Sequence, residues 1–187
     1  MEVDFVAELK TENLLLRKIA LADAQDMFEY SSMPKVTDFL KWAPHTDVRQ
    51  AAVFIEKTLL QYETQENWLW GIVSRQDAKL IGVVRMFNID FEEQRGELSW
   101  ILNPHYSGKG FATEAVRAIL AYLFDKLCFE RVQAKCISTN TASERLMQRC
   151  GMTYEGSFRR GTKVKGAFCD LKYYSILREE FYIQKEE

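Results

Sequence analysis

Proline and glycine are scarce, with 3 and 9 among 187 residues. A chain of this length without a proline-rich or glycine-rich stretch offers no recognisable linker, so we expect one domain spanning residues 1–187. Its 47% hydrophobic and 28% charged residues are typical of a globular protein and not of a disordered one.

An excess of one charge is also absent. The 25 Lys and Arg residues against 27 Asp and Glu give a formal charge of -2, which disfavours bulk nucleic-acid binding. The longest stretch without a charged residue, 98–108, has only eleven residues, too few to cross a membrane. The first residues lack the basic and then apolar pattern of a signal peptide. We therefore expect a cytoplasmic protein without membrane or bulk nucleic-acid partners.

Residues that bind metals or form disulfides are few. The histidines are His45 and His105, and the four cysteines, at positions 128, 136, 150 and 169, form no Cys-x-x-Cys pair. This spacing indicates neither a zinc site nor a disulfide framework. We expect no metal, so catalysis has to come from carboxylates, hydroxyls, phenols and backbone dipoles.

What the sequence does contain is a regular succession of strand and helix patterns, in the order β-α-α-βββ-α-β-α-ββ. The predicted strands are Leu14–Leu16, Trp68–Ser74, Leu80–Asn88, Glu97–Leu102, Arg131–Ile137, Met152–Arg160 and Ala167–Leu177, and the helices begin at Asp23, at Asp47 (ending near Gln65), at about Ala112 and at Thr141. The long amphipathic crossover between residues 98 and 137 makes its two strands parallel neighbours. We expect an α/β fold with a mixed, predominantly antiparallel sheet.

A glycine-containing loop precedes the longest of these helix patterns. It reads Ser107-Gly108-Lys109-Gly110-Phe111-Ala112-Thr113. Glycines permit unusual backbone conformations, and the following helix presents free N–H groups and the positive end of its dipole, which suits a phosphate. The third glycine of the dinucleotide fingerprint and the Gly-Lys-Ser/Thr of the Walker loop are absent. From this pattern alone, phosphate binding and an ordinary strand-to-helix turn both remain open.

Further motifs surround the loop in a fixed order. They are Glu97-Leu98-Ser99-Trp100-Ile101-Leu102, Pro104-x-x-x-Gly108-Lys109-Gly110-Phe111-Ala112-Thr113-Glu114-Ala115, Asn140-x-x-Ser143-x-Arg145-Leu146, Cys150-Gly151-Met152-x-x-Glu155-Gly156 and Asp170-x-x-x-Tyr174-Ser175-x-Leu177. Together they resemble the GNAT N-acetyltransferases, in particular the RimJ and RimL type of ribosomal-protein N-terminal acetyltransferase, over about residues 11–178. Ser107 departs from the family, which often has Gln or Arg there.

The resemblance implies a GNAT fold with two splayed strands, and transfer of an acetyl group from acetyl-CoA directly to an amine. It also implies a cofactor site. The backbone amides of the loop would hold the pyrophosphate, the edge of the preceding strand would hold the pantetheine arm, and two polar residues would contact the cofactor from the next helix. These candidate residues are Ile101, Leu102, Ser107, Gly108, Lys109, Gly110, Phe111, Ala112, Thr113, Asn140 and Ser143.

Two catalytic roles follow from the same resemblance. Glu97 is the candidate general base, on the same strand face as Ser99 and Ile101, with Glu155 as second choice. Ser143 is the candidate acid for the departing thiolate, with Tyr106 and Tyr174 as alternatives. Each also has a structural alternative: Glu97 as a solvated acid at a strand edge, and Ser143 as a helix cap.

The amine acceptor is left open by the sequence. A protein N-terminal amine is expected, with a small amine (a polyamine, an amino acid or an aminoglycoside) as the alternative and a non-catalytic CoA-sensing module as a third reading. Four cations, Arg159, Arg160, Lys163 and Lys165, lie on the last predicted hairpin. They could contact an acidic acceptor, ribosomal RNA or the 3'-phosphate of CoA, or be a solvated turn. A homodimer is left open as well.

Overall fold

The computed structural model describes residues 4–64 and 68–186, and the side chains among them up to residue 183. Eight strands in these ranges form one sheet, in the order β1-β2-β3-β4-β5-β6-β8-β7. They are β1 (Leu9–Lys10), β2 (Leu14–Arg17), β3 (Trp68–Ser74), β4 (Lys79–Asp90), β5 (Arg95–Leu102), β6 (Arg131–Ile137), β7 (Thr153–Val164) and β8 (Ala167–Leu177). Within the described ranges β5 and β6 are the one parallel pair, so the predicted mixed sheet is confirmed.

Six α-helices occur in the same ranges. They are α1 (Ala24–Ser31), α2 (Pro34–Thr37), α3 (Val48–Thr64), α4 (Phe111–Asp125), α5 (Thr141–Arg149) and α6 (Arg178–Glu186). The helix predicted from Asp47 is α3, and Gln65, its predicted end, lies outside the described residues. The short helix α2 was not predicted; it begins with Pro34, whose fixed backbone angle and missing N–H suit the first helical turn. No helix in the described ranges is both long and apolar enough for a membrane span.

Helices cover both faces of the sheet. Alternate strand residues such as Trp70 and Leu69 belong to different hydrophobic clusters, one packed against α4, α5 and α6 and the other against α1 and α3. Helix α4 contributes six fully buried side chains, and each large one stabilises the fold by about 1.5–3 kcal/mol. These are Ala115, Val116, Ile119, Leu120, Leu123 and Phe124. This packing fixes the start of α4, and with it the glycine loop, against the sheet.

The parallel strands β5 and β6 separate halfway along their length. Their pairing runs from Arg95 and Arg131 to Leu98 and Ala134, and within the described chain it stops there. Beyond this point β5 still pairs with β4 up to Leu102, and β6 with β8 up to Ile137. Each strand thus stays in its own half of the sheet, and the two halves diverge, as the family resemblance implies.

Candidate active site

A cavity of about 650 Å³ lies where β5 and β6 separate. Its walls come from five segments: the end of β5, the glycine loop, the start of α4, one face of α5, and the region around α2. The lining includes every predicted cofactor residue except Lys109, namely Ile101, Leu102, Ser107, Gly108, Gly110, Phe111, Ala112, Thr113, Asn140 and Ser143. The fold therefore brings together residues that the chain separates by more than forty positions.

The two loop glycines adopt the conformation that only glycine takes without strain. Gly108 has φ 80° and Gly110, the N-cap of α4, has φ 84°. A Cβ at either position would meet no atom within 4 Å, so the space beside this backbone is open. The loop leads into the N-terminus of a 15-residue helix with free N–H groups and a positive dipole end. A pyrophosphate fits these features.

Hydrogen bonds hold the loop at both ends. On the β5 side, buried Asn103 donates from Nδ2 to Glu29 Oε1 (2.9 Å) and accepts from the His105 amide (3.0 Å). On the α4 side, Glu114 Oε1 accepts from Thr11 Oγ1 (2.6 Å) and from the Asn13 amide (2.8 Å). The loop amides are thus positioned before any ligand arrives.

Two cations near the loop, Lys109 and Arg149, make different contacts. The Lys109 ammonium lies 5.2 Å from the centre of the Tyr106 ring, on the side of Asp77, and Lys109 does not line the cavity within the described residues. Arg149, at the end of α5, does line it and donates from Nε to Thr113 Oγ1 in the first turn of α4 (3.1 Å). Arg149 was not predicted from the sequence. It lies seven positions after Ala142 and three after Leu146, which places it on the cavity face of α5.

The first turn of α5 contains the two predicted polar contacts. Asn140 is the N-cap, and its Oδ1 accepts from the Ser143 amide (3.1 Å). The Ser143 hydroxyl lies at the cavity wall and has no hydrogen-bond partner in the part of the chain that the structure describes. Ser143 is therefore held through its backbone while its hydroxyl stays available.

Both tyrosines considered as acids have a carboxylate partner. Tyr174 donates to Glu144 Oε1 (2.8 Å), and burial together with this carboxylate raises the pKa of its phenol. Tyr106 lines the cavity but donates to Asp77 Oδ2 (2.9 Å), and burial and Asp77 raise its pKa as well. A phenol with a raised pKa is a weaker acid, so both are poorer proton donors than a free tyrosine.

Glu97 is buried and surrounded by donors, unlike a solvated acid at a strand edge. Its side chain is 3% exposed; Oε1 pairs with Lys135 Nζ (2.9 Å), and Oε2 accepts from Asn88 Nδ2 (3.3 Å) and Gln133 Nε2 (3.4 Å). Burial lowers the pKa of Lys135, but the Glu97 carboxylate outweighs it and the net shift is upward. Among the described residues Glu97 does not line the cavity; it lies four positions before Ile101, about 13 Å along the strand.

Glu155, the second candidate base, forms an ion pair. Arg131 Nη1 donates to its Oε1 (2.6 Å), and Ser175 Oγ donates to the same oxygen (2.8 Å). The hydrogen bonds from Arg131 hold the pKa of Glu155 below its usual value. A carboxylate with a lowered pKa is a weak base, so Glu155 is a poorer base than a carboxylate without such a partner. In residues 4–64 and 68–183, no three His, Cys, Asp or Glu side chains come together as a metal site requires.

Comparison with known proteins decides the family. A family model described as acetyltransferase (GNAT) domain matches residues 13–153, three quarters of the chain. The chain belongs to the GNAT acetyltransferase family. It is 36% identical over 174 residues to the Bacillus licheniformis protein named uncharacterized N-acetyltransferase p20, covering 92% of this chain and 97% of the relative. This acetyltransferase chain is thus an acyltransferase that acts on nitrogen.

Solved structures agree with this assignment. A GNAT-family acetyltransferase from Bacillus anthracis has a TM-score of 0.83 at 29% identity, covering 92% of this chain and 99% of the other. The ribosomal-protein-S5-alanine acetyltransferase of Vibrio fischeri has a TM-score of 0.81 at 20% identity, covering 94% and 98%, and at this identity it shows a shared fold alone.

Proposed function

We propose that the protein transfers the acetyl group of acetyl-CoA directly to a protein N-terminal amine, as the RimJ and RimL type of enzyme does. One observation carries the proposal: the cavity beside the end of β5, beyond the point where its pairing with β6 stops, is bounded by a glycine loop at a helix N-terminus. Acetyl-CoA, when bound, supplies an acetyl group activated as a thioester. We also propose that residues 1–187 form a single domain, which the continuous sheet supports.

The binding roles follow from the cavity walls. The amides from Ser107 to Thr113, including that of Lys109, would cradle the pyrophosphate, with Arg149 supplying a fixed positive charge beside them. Ile101 and Leu102 have main-chain groups on the side of β5 that no longer pairs with β6, and these would hold the pantetheine arm. The amide of Asn140 would contact the same arm.

The proposed reaction forms one bond and breaks one bond. The acceptor nitrogen bonds to the carbonyl carbon, and the carbon–sulfur bond breaks. Glu97 would take the proton from the acceptor ammonium through water, since its distance along β5 from Ile101 is too great for direct transfer. Ser143 lines the cavity and its hydroxyl has no other partner in the described chain, so it would give its proton to the departing thiolate. It would regain a proton from the acceptor nitrogen, which loses its second proton as the amide forms.

The charged residues that line the cavity affect which amine can be the acceptor. Among the described lining residues Lys35 and Arg149 are cations and Asp38 is the one acid, so a polycation such as a polyamine would meet little compensating charge. An N-terminal peptide carries its single ammonium at one end and can extend out of the cavity. Asp38 nevertheless favours a second candidate, a small amine with one ammonium group that pairs with this carboxylate.

The test is a turnover screen. Purified protein and acetyl-CoA are incubated with N-terminal peptides, polyamines, amino acids and aminoglycosides while thiol release is followed. We expect turnover with peptides, and Ser143→Ala should lower turnover more than it lowers CoA affinity. Turnover with a small amine alone would favour the second candidate. Tight CoA binding without turnover on any amine would contradict both and favour a sensing module.

A further inference from the structure

The far part of the β7–β8 hairpin carries four exposed cations, Arg159, Arg160, Lys163 and Lys165, which we call the basic patch. None of them forms an ion pair within the described residues. Asp170, on the opposite strand of the hairpin, accepts from the backbone amide of Arg160 (2.7 Å) and forms no ion pair with the patch in the described chain. The patch therefore keeps its charge on a chain whose formal charge is -2.

Cations elsewhere on β8 and on the neighbouring strand β6 have carboxylate partners. On β6, Arg131 pairs with Glu155 and Lys135 with Glu97, and on β8 Lys172 pairs with Glu144. Each of these side chains is neutralised by a carboxylate on a neighbouring element. The uncompensated charge is thus confined to the end of the hairpin and is not a general property of this part of the sheet.

An irregularity in the hairpin helps to expose the patch. Between the pairs Phe158–Leu171 and Thr162–Cys169, β7 has three residues where β8 has one. The extra residues interrupt the regular ladder, and Arg160 takes a left-handed conformation with φ 53°, uncommon for a residue with a side chain. The strained backbone is held by the Asp170 hydrogen bond. Two arginines are therefore displayed at a bulge, a feature frequent next to functional sites.

The basic patch borders the cavity on the side of α2. Lys165 donates from Nζ to Thr37 Oγ1 (3.4 Å), and the chain neighbours of Thr37, Val36 in α2 and Asp38 just after it, line the cavity. The glycine loop and Arg149 belong to other walls. A ligand that leaves the cavity past α2 would therefore pass the hairpin before it reaches open solvent.

We propose that the basic patch selects acceptors with acidic residues a few positions after the N-terminal amine, a proposal that rests on the proposed function. An extended peptide advances about 3.3 Å per residue, so the residues that follow its N-terminal amine would lead out of the cavity past the hairpin end. Carboxylates there would be attracted by exposed, unpaired cations and would lower KM more than they change kcat. The same charges repel a polyamine.

The experiment compares two labelled peptides. Both begin with Ser and carry fluorescein at the C-terminus; one has Glu at positions two to five and the other has Gln. Fluorescence anisotropy with the full chain and saturating CoA gives their dissociation constants, and unlabelled versions give kcat and KM. The patch variant is Arg159→Ala/Arg160→Ala/Lys163→Ala, which keeps the Lys165 contact with Thr37.

A control with the same charge change is available in three exposed lysines away from the hairpin, Lys10→Ala/Lys57→Ala/Lys126→Ala. We expect wild type and control to prefer the Glu peptide by about tenfold, as a few exposed charge pairs allow, and the patch variant to lose the preference. Added salt should reduce the preference in wild type and control. An equal preference in patch and control variants would overturn the proposal.

Other outcomes distinguish an acidic peptide from CoA or nucleic acid as the ligand of the basic patch. If the patch variant loses affinity for CoA itself, the patch serves a CoA phosphate and the proposal fails. If it loses affinity for a single-stranded RNA oligonucleotide and keeps the Glu preference, the patch serves nucleic acid and the proposal also fails. Equal acetylation of both peptides contradicts the acidic preference but supports the proposed function. A Glu preference in binding without thiol release supports the preference and contradicts the proposed reaction.

Discussion

Arg149 has the one guanidinium among the described residues that line the cavity. The loop itself offers no comparable charge, because Ser107 stands where relatives often have Gln or Arg and the Lys109 ammonium faces the Tyr106 ring. The hydrogen bond from Arg149 Nε to Thr113 ties the guanidinium to the first turn of α4, where the helix dipole already favours an anion. We propose that Arg149 supplies from α5 the positive charge that the loop lacks.

We therefore expect Arg149→Ala to weaken CoA binding by about tenfold to a hundredfold, the loss of one or two charge-assisted hydrogen bonds. Arg145→Ala is the matched control, since Arg145 is exposed on the same helix, carries the same charge and does not line the cavity in the described chain. Calorimetric titration with CoA measures both. Equal dissociation constants for the two variants would contradict a role for Arg149 at the phosphates.

Glu97 calls for a different measurement, because its variants affect a buried ion pair as well as proton transfer. Glu97→Gln should lower kcat by about 10²–10⁴-fold and leave CoA affinity unchanged, since the amide cannot accept the proton. The double variant Glu97→Gln/Lys135→Met removes the uncompensated ammonium and should recover stability without recovering kcat. Glu155→Gln should keep most of its turnover. Loss of turnover in Glu155→Gln, with normal rates in Glu97→Gln, would transfer the role of base to Glu155.

At the scale of elements, the strands whose bounds were predicted correctly are those that the side-chain pattern alone can identify. Trp68–Ser74, Arg131–Ile137 and Ala167–Leu177 are observed with their predicted bounds, because each is a strand-forming run. Helix α2 has only four residues, too few for a periodic pattern, although it forms a wall of the cavity.

The contacts between elements could not be predicted from the sequence. The Glu97–Lys135 pair depends on the register of β5 against β6, and a crossover of 28 residues separates these strands. Register follows from packing on both faces of the sheet and not from the spacing of the motifs. Arg149 was missed for a similar reason: its partner Thr113 lies on a different helix.

The side-chain contacts that attach helix α5 to strand β8 should depend on pH. Glu144 accepts from Lys172 Nζ (2.7 Å) and Tyr174 (2.8 Å), and these bonds hold the pKa of Glu144 below its usual value. A group with a lowered folded-state pKa stabilises the fold above its unfolded pKa, and this contribution is lost as the pH falls through the folded pKa. Because α5 also carries Ser143 and Arg149, this attachment positions the cavity wall.

Glu144→Gln should consequently have a lower free energy of unfolding than wild type at pH 7, and the difference should shrink at pH 3, because acidification reduces the ionised fraction of the wild-type carboxylate. Urea unfolding at both pH values measures this. Glu92→Gln serves as control, because Glu92 is exposed in the β4–β5 turn and should give nearly the wild-type values at both. A Glu144→Gln deficit of equal size at pH 7 and pH 3 would show that the ionised carboxylate is not what stabilises α5.

At the scale of the whole molecule, the four free cysteines lie at different depths and can report on unfolding. Cys150 is fully buried in the cluster between α4, α5 and the sheet, and burial raises the pKa of its thiol to about 12. Cys136 is 6% exposed, and burial raises its pKa to about 11. Cys128 is exposed and Cys169 half-buried. Because reaction requires an accessible thiolate, the two buried cysteines should react only when the core opens.

We expect iodoacetamide to modify Cys128 and Cys169 in the native protein and Cys150 only through unfolding, as peptide mass spectrometry can follow. Acetyl-CoA has no free thiol to consume the reagent, and at one hundred times its dissociation constant it should stabilise the native state by about 2.7 kcal/mol. When refolding is faster than alkylation, the Cys150 rate should then fall about a hundredfold, while the Cys128 rate stays unchanged. The same Cys150 rate with and without acetyl-CoA would mean that this part of the core opens locally, without disturbing the cavity between β5 and β6.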